Sequence, residues 1–421
     1  MRSNYLALAM GGLLSALAPA AFADGHRKYE GETITVLLPP WGTLPAEMVE
    51  SFTGETGINV DMQTLGWDDL RTRIVTSLIA NQAPGDVIEF DWSWVGQFGA
   101  AGWFANLDDL IDPAVVADMI PAPIFTYGGN LIGVPYSNDF RMMILNKNHF
   151  EQAGVTELAT TLDALQMQAK AIKEAGVVAY PLGLALGPYE GTSTNWYTLS
   201  KAYGGDLFDN DFNPLFLEPD SAGYKALKFI VDSVEAGLID PASMGMTDVQ
   251  IQERFKAGEI SVDLAGFVGN LAVYNDPERS KVAGSAVAIR TPGENGPGRG
   301  FGLPEAVGIP HNSEQKGAAA AFISFIVQQN SQKEMYAKLG LLPTRTSVIE
   351  TLNAEGQLSG GDGIIAAMQD VEPLFKQGTP QWYSRFSNAV STSVNAAAKG
   401  QITLDEALKR IVDTAADAKL D

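Results

Sequence analysis

The segment from residue 33 to residue 90 alternates short apolar runs of strand length with stretches of helical period. In one such stretch Leu70, Ile74 and Leu78 recur every four residues, which places them on one face of a helix. Strands that alternate with helices pair into a mainly parallel sheet with helices on its faces, so an α/β fold is predicted. The predicted strands are residues 33–38, 58–62 and 86–90, and the predicted helices between them are residues 45–57 and 67–80.

The N-terminus has the layout of a secretory signal. Arg2 precedes an apolar run at residues 5–17, and residues 21–23 read Ala-Phe-Ala. Such a site predicts cleavage after Ala23, which makes residues 1–23 a signal peptide. The apolar run is shorter than the roughly 20 residues that span a bilayer core, and the chain has no cysteine to carry a lipid. We therefore predict a periplasmic protein.

The chain is strongly acidic, with 50 Asp and Glu against 28 Lys and Arg and a formal net charge of −22. Nucleic acid is not an expected partner, because proteins that bind it neutralise phosphates with clusters of Lys and Arg. Long-range electrostatics favour neutral or cationic solutes over anions. The same charge also keeps a secreted protein soluble, and that role alone would explain it.

Metal-binding patterns are weak. His26, His149 and His311 lie far apart and there is no cysteine, so neither a metal site nor a cofactor is predicted. The acidic segment at residues 209–213 has some calcium-loop character, but Pro214 replaces the glycine that the sharp turn needs. We therefore interpret this segment as a hairpin turn, with calcium near Asp209 as the alternative.

A polar interruption divides the chain near residue 138. Apolar runs at residues 131–136 and 141–145 are joined by Ser-Asn-Asp at residues 137–139. Pro135 cannot donate a strand hydrogen bond, so this segment favours an extended crossing over a continuous strand. Since the chain is also too long for a single hydrophobic core, we expect a crossing between two lobes, with polar side chains facing the cleft. A buried hairpin in another α/β protein is the alternative from these residues alone.

The same block resembles the crossing segment of the extracellular solute-binding proteins of ABC importers, in the carbohydrate-binding, maltose-binding-protein-like cluster (family 1). Residues 86–110, 203–217, 255–266 and 340–345 resemble further motifs of that family in the same order. The residues of the crossing block that are in register with the family pattern are Gly133, Val134, Pro135, Tyr136, Asn146, Lys147, Phe150, Ala153 and Gly154.

The resemblance implies a two-lobe periplasmic-binding-protein fold, in which each lobe is a mostly parallel sheet flanked by helices and hinge crossings join the lobes. It implies crossings near residues 136–141, 263–267 and 310–313. The expected boundaries are 24–136 for the first part of lobe 1, 137–262 for the first part of lobe 2, 263–312 for the second part of lobe 1, and 313–421 for the C-terminal helices of lobe 2.

The resemblance also implies a receptor that captures a neutral sugar, oligosaccharide or polyol by hinge closure and delivers it to an ABC transporter permease. We expect a monomer that is not an enzyme. Two alternatives remain open. One is the same fold with a quaternary ammonium solute in a cage of Trp41, Trp92 and Trp94 beside Asp91. The other is a secreted carbohydrate-active enzyme that uses a pair of Asp or Glu residues.

Candidate ligand-binding residues follow the predicted strands, because ligands in open α/β sheets bind beyond the carboxyl ends of the strands. Carboxylates, amides and guanidinium groups match pairs of sugar hydroxyls, and flat aromatic rings cover the apolar face of a sugar. Phe267 stands where the family often has Trp. The candidates are Trp41, Asp91, Trp92, Trp94, Asn138, Asp139, Arg141, Tyr189, Glu190, Asn195 and Trp196 from the loops, with Gly266, Phe267 and Arg345 from the resemblance.

Overall fold

The computed structural model describes residues 27–420 and has the predicted α/β class, with two main sheets covered by helices and two small two-stranded sheets. The predicted signal peptide and its cleavage site lie outside the described residues. The strands are β1 (Thr33–Leu38), β2 (Asn59–Thr64), β3 (Val87–Asp91), β4 (Thr126–Tyr127), β5 (Asn130–Leu131), β6 (Val134–Ser137), β7 (Arg141–Asn146), β8 (Leu182–Gly183), β9 (Val262–Phe267), β10 (Ala286–Ile289), β11 (Gly300–Phe301), β12 (Glu305–Gly308) and β13 (Val371–Glu372).

The helices occupy both faces of the sheets and form the C-terminal part of the described chain. The 3₁₀ turns are Arg27–Tyr29, Ala122–Phe125 and Pro241–Gly245. The α-helices are α1 (Ala46–Thr56), α2 (Trp67–Ile79), α3 (Val95–Ala100), α4 (Pro113–Ala117), α5 (Lys147–Gln152), α6 (Leu162–Glu174), α7 (Glu190–Ala202), α8 (Ala222–Glu235), α9 (Asp248–Lys256), α10 (Asn270–Tyr274), α11 (Lys316–Ile326), α12 (Gln329–Leu339), α13 (Thr346–Ala354), α14 (Asp362–Met368), α15 (Tyr383–Ala398) and α16 (Leu404–Ala418).

Side-chain caps fix the starts of several helices. The hydroxyl of Thr161 accepts a hydrogen bond from the backbone N–H of Ala164 at the start of α6. Thr403 and Glu406 form a reciprocal capping box at the start of α16. Such caps satisfy backbone donors that the first helical turn leaves unpaired, and each contributes about 1 kcal/mol.

The first sheet has the strand order β2-β1-β3-β12-β6. β1 runs parallel to β2 and β3, whereas β12 runs antiparallel to both β3 and β6. Helices cover both faces: Val36 of β1 packs with Phe322 of α11 on one side, and Leu37 packs with Ile74 of α2 on the other. This alternation follows from the two-residue period of a strand.

The second sheet has the order β10-β7-β9-β8. β8 and β9 are parallel, and the other pairs are antiparallel. Both sheets are therefore mixed, and the expectation of a mostly parallel sheet in each lobe was wrong. Its core includes Met143, Trp196, Phe386 and Ile411, which come from β7, α7, α15 and α16. The C-terminal helices α15 and α16 therefore belong to the second lobe.

The chain passes between the sheets at residues 138–140, which lie inside the predicted first crossing. The other two passages differ from the prediction. Residues 263–267 lie within β9, which pairs with β7 and β8 in the second sheet, and the return to the first sheet comes at residues 290–304. The third passage follows α12, at residues 340–345.

The expected boundaries need the same correction. Within the expected range 263–312, β9 and β10 belong to the second sheet and only β12 belongs to the first. The helix α11 packs against the first sheet, although residues 313–421 were expected in lobe 2. The physical reason is that α11 is apolar almost all round, and eight of its side chains are buried in the core beneath β1.

Hydrogen bonds tie the crossings to one another. The backbone N–H of Asn138 donates to the carbonyl oxygen of Leu342 at 2.9 Å, and that of Leu303 donates to the carbonyl oxygen of Asp139 at 2.9 Å. All three passages between the lobes therefore meet at one place.

Candidate functional site

A cavity of about 350 Å³ lies between the two lobes, beside the crossings. Volumes of this size are typical of sites for small ligands. The first lobe and the crossings contribute Trp41, Trp67, Asp68, Asp91, Ser137, Asp139, Leu303, Glu305, Leu339, Gly340, Leu341 and Leu342. The second lobe contributes Arg141, Tyr189, Glu190, Gly191, Thr194, Thr247, Asp248, Val249, Gln252, Phe267, Gly269, Asn270 and Val273.

An aromatic wall covers the side of the cavity that the first lobe forms. Trp41 follows β1 and its side chain is 41% exposed, so one face of its ring is open to a ligand. Its ring lies 5.6 Å from that of Trp67, which in turn stacks on the buried Trp94 at 4.3 Å. This chain of rings fixes Trp41 against the lobe and leaves it available for a flat apolar surface.

Three carboxyl groups face the cavity where the first sheet meets the crossings. Asp91 ends β3, Asp139 lies in the first crossing, and Glu305 begins β12. Glu305 accepts a hydrogen bond from Nε1 of Trp41 at 2.8 Å, and Asp91 accepts one from the hydroxyl of Ser93 at 2.5 Å. A register shift in β12 between Glu305 and its neighbour is the kind of irregularity that re-aims a side chain.

Burial keeps these carboxyls protonated to unusually high pH. It raises the pKa of Asp91 to about 7 and that of Asp139 to about 7. Burial, together with the charges of Asp139 and Asp91, also raises the pKa of Glu305. Behind them, burial raises the pKa of Glu89, whose carboxylate accepts a hydrogen bond from the hydroxyl of Tyr136. Groups that resist losing a proton in this way cluster at functional sites.

We predict that the ligand-free protein loses stability as the pH rises from about 4, where the unfolded carboxyls ionise, to about 8. The folded carboxyls hold protons that the unfolded chain, with carboxyl pKa values near 4, has already released. The folded state then binds more protons, so its free energy of unfolding falls as the pH rises through the raised pKa values. The melting temperature, measured by calorimetry, should fall across this range, and less so in Glu305→Gln. An equal fall in the variant would contradict the assignment.

Arg141 is held within the second lobe. Its Nη1 donates to the carbonyl oxygen of Ala265 at 2.7 Å, and its Nη2 lies 3.8 Å from a carboxylate oxygen of Asp248. The guanidinium lies over the ring of Phe267, 3.5 Å from the ring centre. Arg141 is only 3% exposed, so these contacts fix its position at the floor of the cavity.

Neighbouring side chains also position Glu190 and Tyr189. The carboxylate of Glu190 accepts hydrogen bonds from the hydroxyls of Tyr383 and Ser387, the latter at 2.6 Å. Burial raises the pKa of Glu190. The hydroxyl of Tyr189 accepts a hydrogen bond from the backbone N–H of Asp248 at 2.6 Å. Both side chains therefore reach the cavity with polar atoms that already have protein partners.

The structure brings seven of the predicted ligand-binding residues to the cavity. They are Trp41, Asp91, Asp139, Arg141, Tyr189, Glu190 and Phe267.

Three predicted tryptophans serve packing instead. Trp92 packs edge-on against Phe301 and Tyr383, at centroid distances of 5.4 and 5.1 Å. Trp94 is buried behind Trp67, and Trp196 is fully buried with its Nε1 bonded to a backbone carbonyl. The quaternary ammonium cage, which was the first alternative, therefore does not form, because only Trp41 of its three rings lines the cavity.

Four further predicted residues lie outside the lining of the cavity. Asn138 is mostly buried in the crossing, and the buried Asn195 donates to the carbonyl oxygen of Ala185 at 2.8 Å. Gly266 pairs with a residue of β7 inside the sheet. Arg345 forms an ion pair with Asp118 at 2.8 Å, which fixes the start of α13. Each of these four residues is held in place by a hydrogen bond, a strand pairing or an ion pair within the protein.

Several lining residues have no counterpart in the sequence prediction. Glu305 follows Pro304 at the start of a short apolar run, and that position beside a crossing is a signal that could have identified it. Asp248 lies in the first turn of α9, where acidic residues are common because they interact favourably with the helix dipole. The other lining residues that the prediction missed include Trp67, Asp68, Thr194, Gln252 and Asn270.

The acidic turn at residues 209–213 is closed by its own backbone. The carboxylate of Asp209 accepts hydrogen bonds from the N–H groups of Asp211 and Asn213, at 2.9 and 2.8 Å. Among residues 27–420, no group of three or more His, Asp or Glu side chains is arranged to hold a metal ion. The hairpin interpretation therefore fits the structure better than the calcium alternative.

The lobes also touch away from the crossings, where α2, Trp92 and α3 of the first lobe meet residues 379–384 of the second. The hydroxyl of Thr379 donates to the carbonyl oxygen of Trp92 at 2.9 Å, and the guanidinium of Arg71 donates to the hydroxyl of Ser384 at 2.7 Å. Gly96 permits this approach, because a β-carbon there would overlap the backbone of Thr379. We call this surface the α3 contact.

Residues 41–333 match the family model of bacterial extracellular solute-binding proteins. The chain belongs to this family. This solute-binding protein is 24% identical over 372 residues to a protein of Sinorhizobium fredii named as an amino-acid ABC transporter periplasmic-binding protein, a match that covers 85% of this chain and 83% of the relative. In the part of the chain that the structure describes, no helix has the length and apolar character needed to cross a membrane.

Solved structures share the fold. The maltose-bound protein MalE3 of T. maritima superposes with a TM-score of 0.84 at 21% identity, covering 93% of this solute-binding protein and 100% of that chain. A solute-binding protein of Agrobacterium radiobacter in complex with ribitol superposes with a TM-score of 0.82 at 19% identity, covering 93% and 99%. The two-lobe fold that the sequence predicted is therefore confirmed.

Proposed function

We propose that this solute-binding protein captures a sugar or polyol in the cavity between its lobes and delivers it to the permease of an ABC transporter. The observation that carries the proposal is that both lobes place polar groups around one cavity with an aromatic wall. The structural relatives bound to maltose and to ribitol support the same class of solute. The ligand-binding residues that we propose are Trp41, Asp91, Asp139, Arg141, Tyr189, Glu190, Phe267 and Glu305.

Hinge closure is the proposed mechanism. A solute that contacts Asp139 and Trp41 on one side and Arg141 on the other binds the closed form better than the open form, so its binding raises the closed population. The permease then recognises the closed shape. We further propose that the protein acts as a monomer in the periplasm after cleavage following Ala23, and that it releases the solute chemically unchanged.

Calorimetric titration of the mature protein tests the proposed function. The panel contains neutral sugars, polyols, glycerol phosphates and betaines, and each solute is recovered afterwards for analysis. We expect saturable binding of at least one sugar or polyol, which is recovered intact. Recovery of hydrolysis products would favour the carbohydrate-active enzyme, and binding of betaines alone would change the ligand class while keeping the receptor.

A further inference from the structure

We propose that the solute of this cavity is an aminated sugar or polyol, whose ammonium group lies against the carboxyl groups of Asp139, Asp91 and Glu305. The inference rests on the receptor function proposed above and specifies the class of its ligand. Its basis is the imbalance of charge around the cavity, the commitment of the nearby cations to other partners, and the placement of Trp41 beside the acids.

Acidic side chains outnumber basic ones in the lining of the cavity. Six carboxyl groups face it, and Arg141 is the one Lys or Arg among the described residues that line it. Without a counter-charge, an acid in this poorly solvated space either keeps its proton, as the raised pKa values of Asp91 and Asp139 indicate, or ionises at a cost. A cationic solute supplies that charge. The six acids are Asp68, Asp91, Asp139, Glu190, Asp248 and Glu305.

The nearby cations are committed to other partners. Arg141 pairs with Asp248 and bonds the backbone of the second lobe, as described above. Arg71 donates to the side chains of Gln97 and Ser384, at 2.9 and 2.7 Å. Within residues 27–420, none of the ion pairs shorter than 4 Å includes Asp91, Asp139 or Glu305. In that part of the chain these three acids therefore have no ion pair within 4 Å, and the charges of Arg141 and Arg71 act on Asp139 and Asp91 only from a greater distance.

The hydrogen-bonding capacity of the acids matches a primary ammonium group. A bound cation lowers the pKa of a nearby acid and so favours its ionised form. An ionised carboxylate only accepts hydrogen bonds, and an ammonium group donates three. Bonds between charged partners are shorter and stronger than those to neutral hydroxyls. A quaternary ammonium has no N–H to donate and would need an aromatic cage, which the burial of Trp92 and Trp94 removes.

Trp41 lies beside the acids and offers an apolar ring face to the carbon skeleton of the solute. Its Nε1 donates to Glu305, so the half-exposed ring and the carboxyl group lie side by side. A solute whose ammonium group contacts Glu305 thus places its adjoining carbon skeleton over the indole. The ring face also attracts a nearby cation.

Matched pairs of solutes test the proposal on the wild-type mature protein. One set is D-glucosamine with D-glucose and N-acetyl-D-glucosamine, and the other is 1-amino-1-deoxy-D-sorbitol with D-sorbitol. In calorimetric titrations at pH 7, we expect the amine of at least one set to bind ten or more times tighter than its neutral partners. N-acetylation keeps the nitrogen and removes the charge, so it separates charge from shape.

A charge-neutral variant locates the ammonium group. Glu305→Gln should reduce the preference for the amine over its neutral partner at least tenfold. Asp69→Asn is the matched control, because it removes the same charge from an exposed position next to the lining residue Asp68. The control should keep the wild-type preference. If Glu305→Gln does not fold, the ratio of the affinities of the wild-type protein for the amine and for its neutral partner tests the proposal.

The outcomes separate this inference from the proposed function. If neutral sugars or polyols bind and no amine binds more tightly than its neutral partner, the inference is overturned and the receptor function stands. If no solute of these sets or of the wider panel binds, both are overturned. A preference for the amine that Glu305→Gln leaves intact would overturn the placement of the ammonium group.

Discussion

Asp139→Ala should weaken the binding of the tightest ligand in the titration panel at least tenfold. The side chain of Asp139 is 9% exposed and lines the cavity. Burial raises its pKa, and the charge of Arg141 and the backbone N–H groups of Phe140 and Val268 act in the opposite direction. A hydrogen bond to such a group contributes roughly 1.5–3 kcal/mol, and a factor of ten corresponds to about 1.4 kcal/mol. Isothermal titration calorimetry measures the loss.

The melting temperature of the ligand-free protein should change little in the same variant. The substitution removes a buried acid that repels Glu305, which offsets the loss of its favourable interactions with Arg141 and the nearby backbone. Asp139→Asn keeps the shape of the side chain and separates the effect of charge from that of size. Asp109→Ala, at an exposed position of the first lobe, is the control and should bind normally. Wild-type affinity in Asp139→Ala would show that the carboxyl group faces only solvent.

Gly96→Ala should also weaken ligand binding at least tenfold, by opposing closure of the lobes. A β-carbon at Gly96 would overlap the carbonyl of Thr379 and crowd Pro380, and backbone cannot move aside as a flexible side chain does. Overpacking of this kind costs about 1–3 kcal/mol. We propose that the α3 contact forms when the lobes close, in which case the cost of the overlap falls on the closed form. In small-angle scattering, the ligand-bound Gly96→Ala variant should therefore have a larger radius of gyration than the ligand-bound wild-type protein.

Gly54→Ala is the matched control for this prediction. Gly54 lies within the helix α1 and a β-carbon there meets open space. The same chemical change should therefore leave affinity unaltered and stabilise the helix by roughly 0.5–1 kcal/mol. If Gly96→Ala bound ligand and compacted like the wild type, the α3 contact would have no part in closure.

The sequence predicted those features that depend on local pattern. The polar interruption at residues 137–139 identified the first crossing, and with it Asp139 and Arg141 as lining residues. The other two crossings were misplaced, because an apolar run such as Val262–Phe267 fits a strand inside either sheet equally well. Only its pairing with β7 and β8 assigns it to the second lobe.

The tryptophans show why the site was harder to predict than the fold. Trp41 and Trp92 both follow strands of the first sheet, yet one is exposed to the cavity and the other is buried against Phe301. Each tryptophan is held by a residue more than 200 positions away in the sequence, Glu305 for Trp41 and Phe301 for Trp92. The local sequence around each tryptophan therefore cannot show whether it is exposed or buried. Glu305 was missed for the same reason, since it reaches the cavity only because β12 pairs with β3 and β6.

The hydrogen bonds that tie the crossings together also bear on the kinetics of binding. A rigid lobe that rotates about the segment containing Asn138 moves its atoms in proportion to their distance from that axis. Asp139 and Leu342, at the axis, therefore keep nearly the same positions in both forms, whereas Gln252 on α9 is carried along with its lobe. We expect substitutions on α9, which closure carries toward the ligand, to change mainly the lifetime of the bound complex.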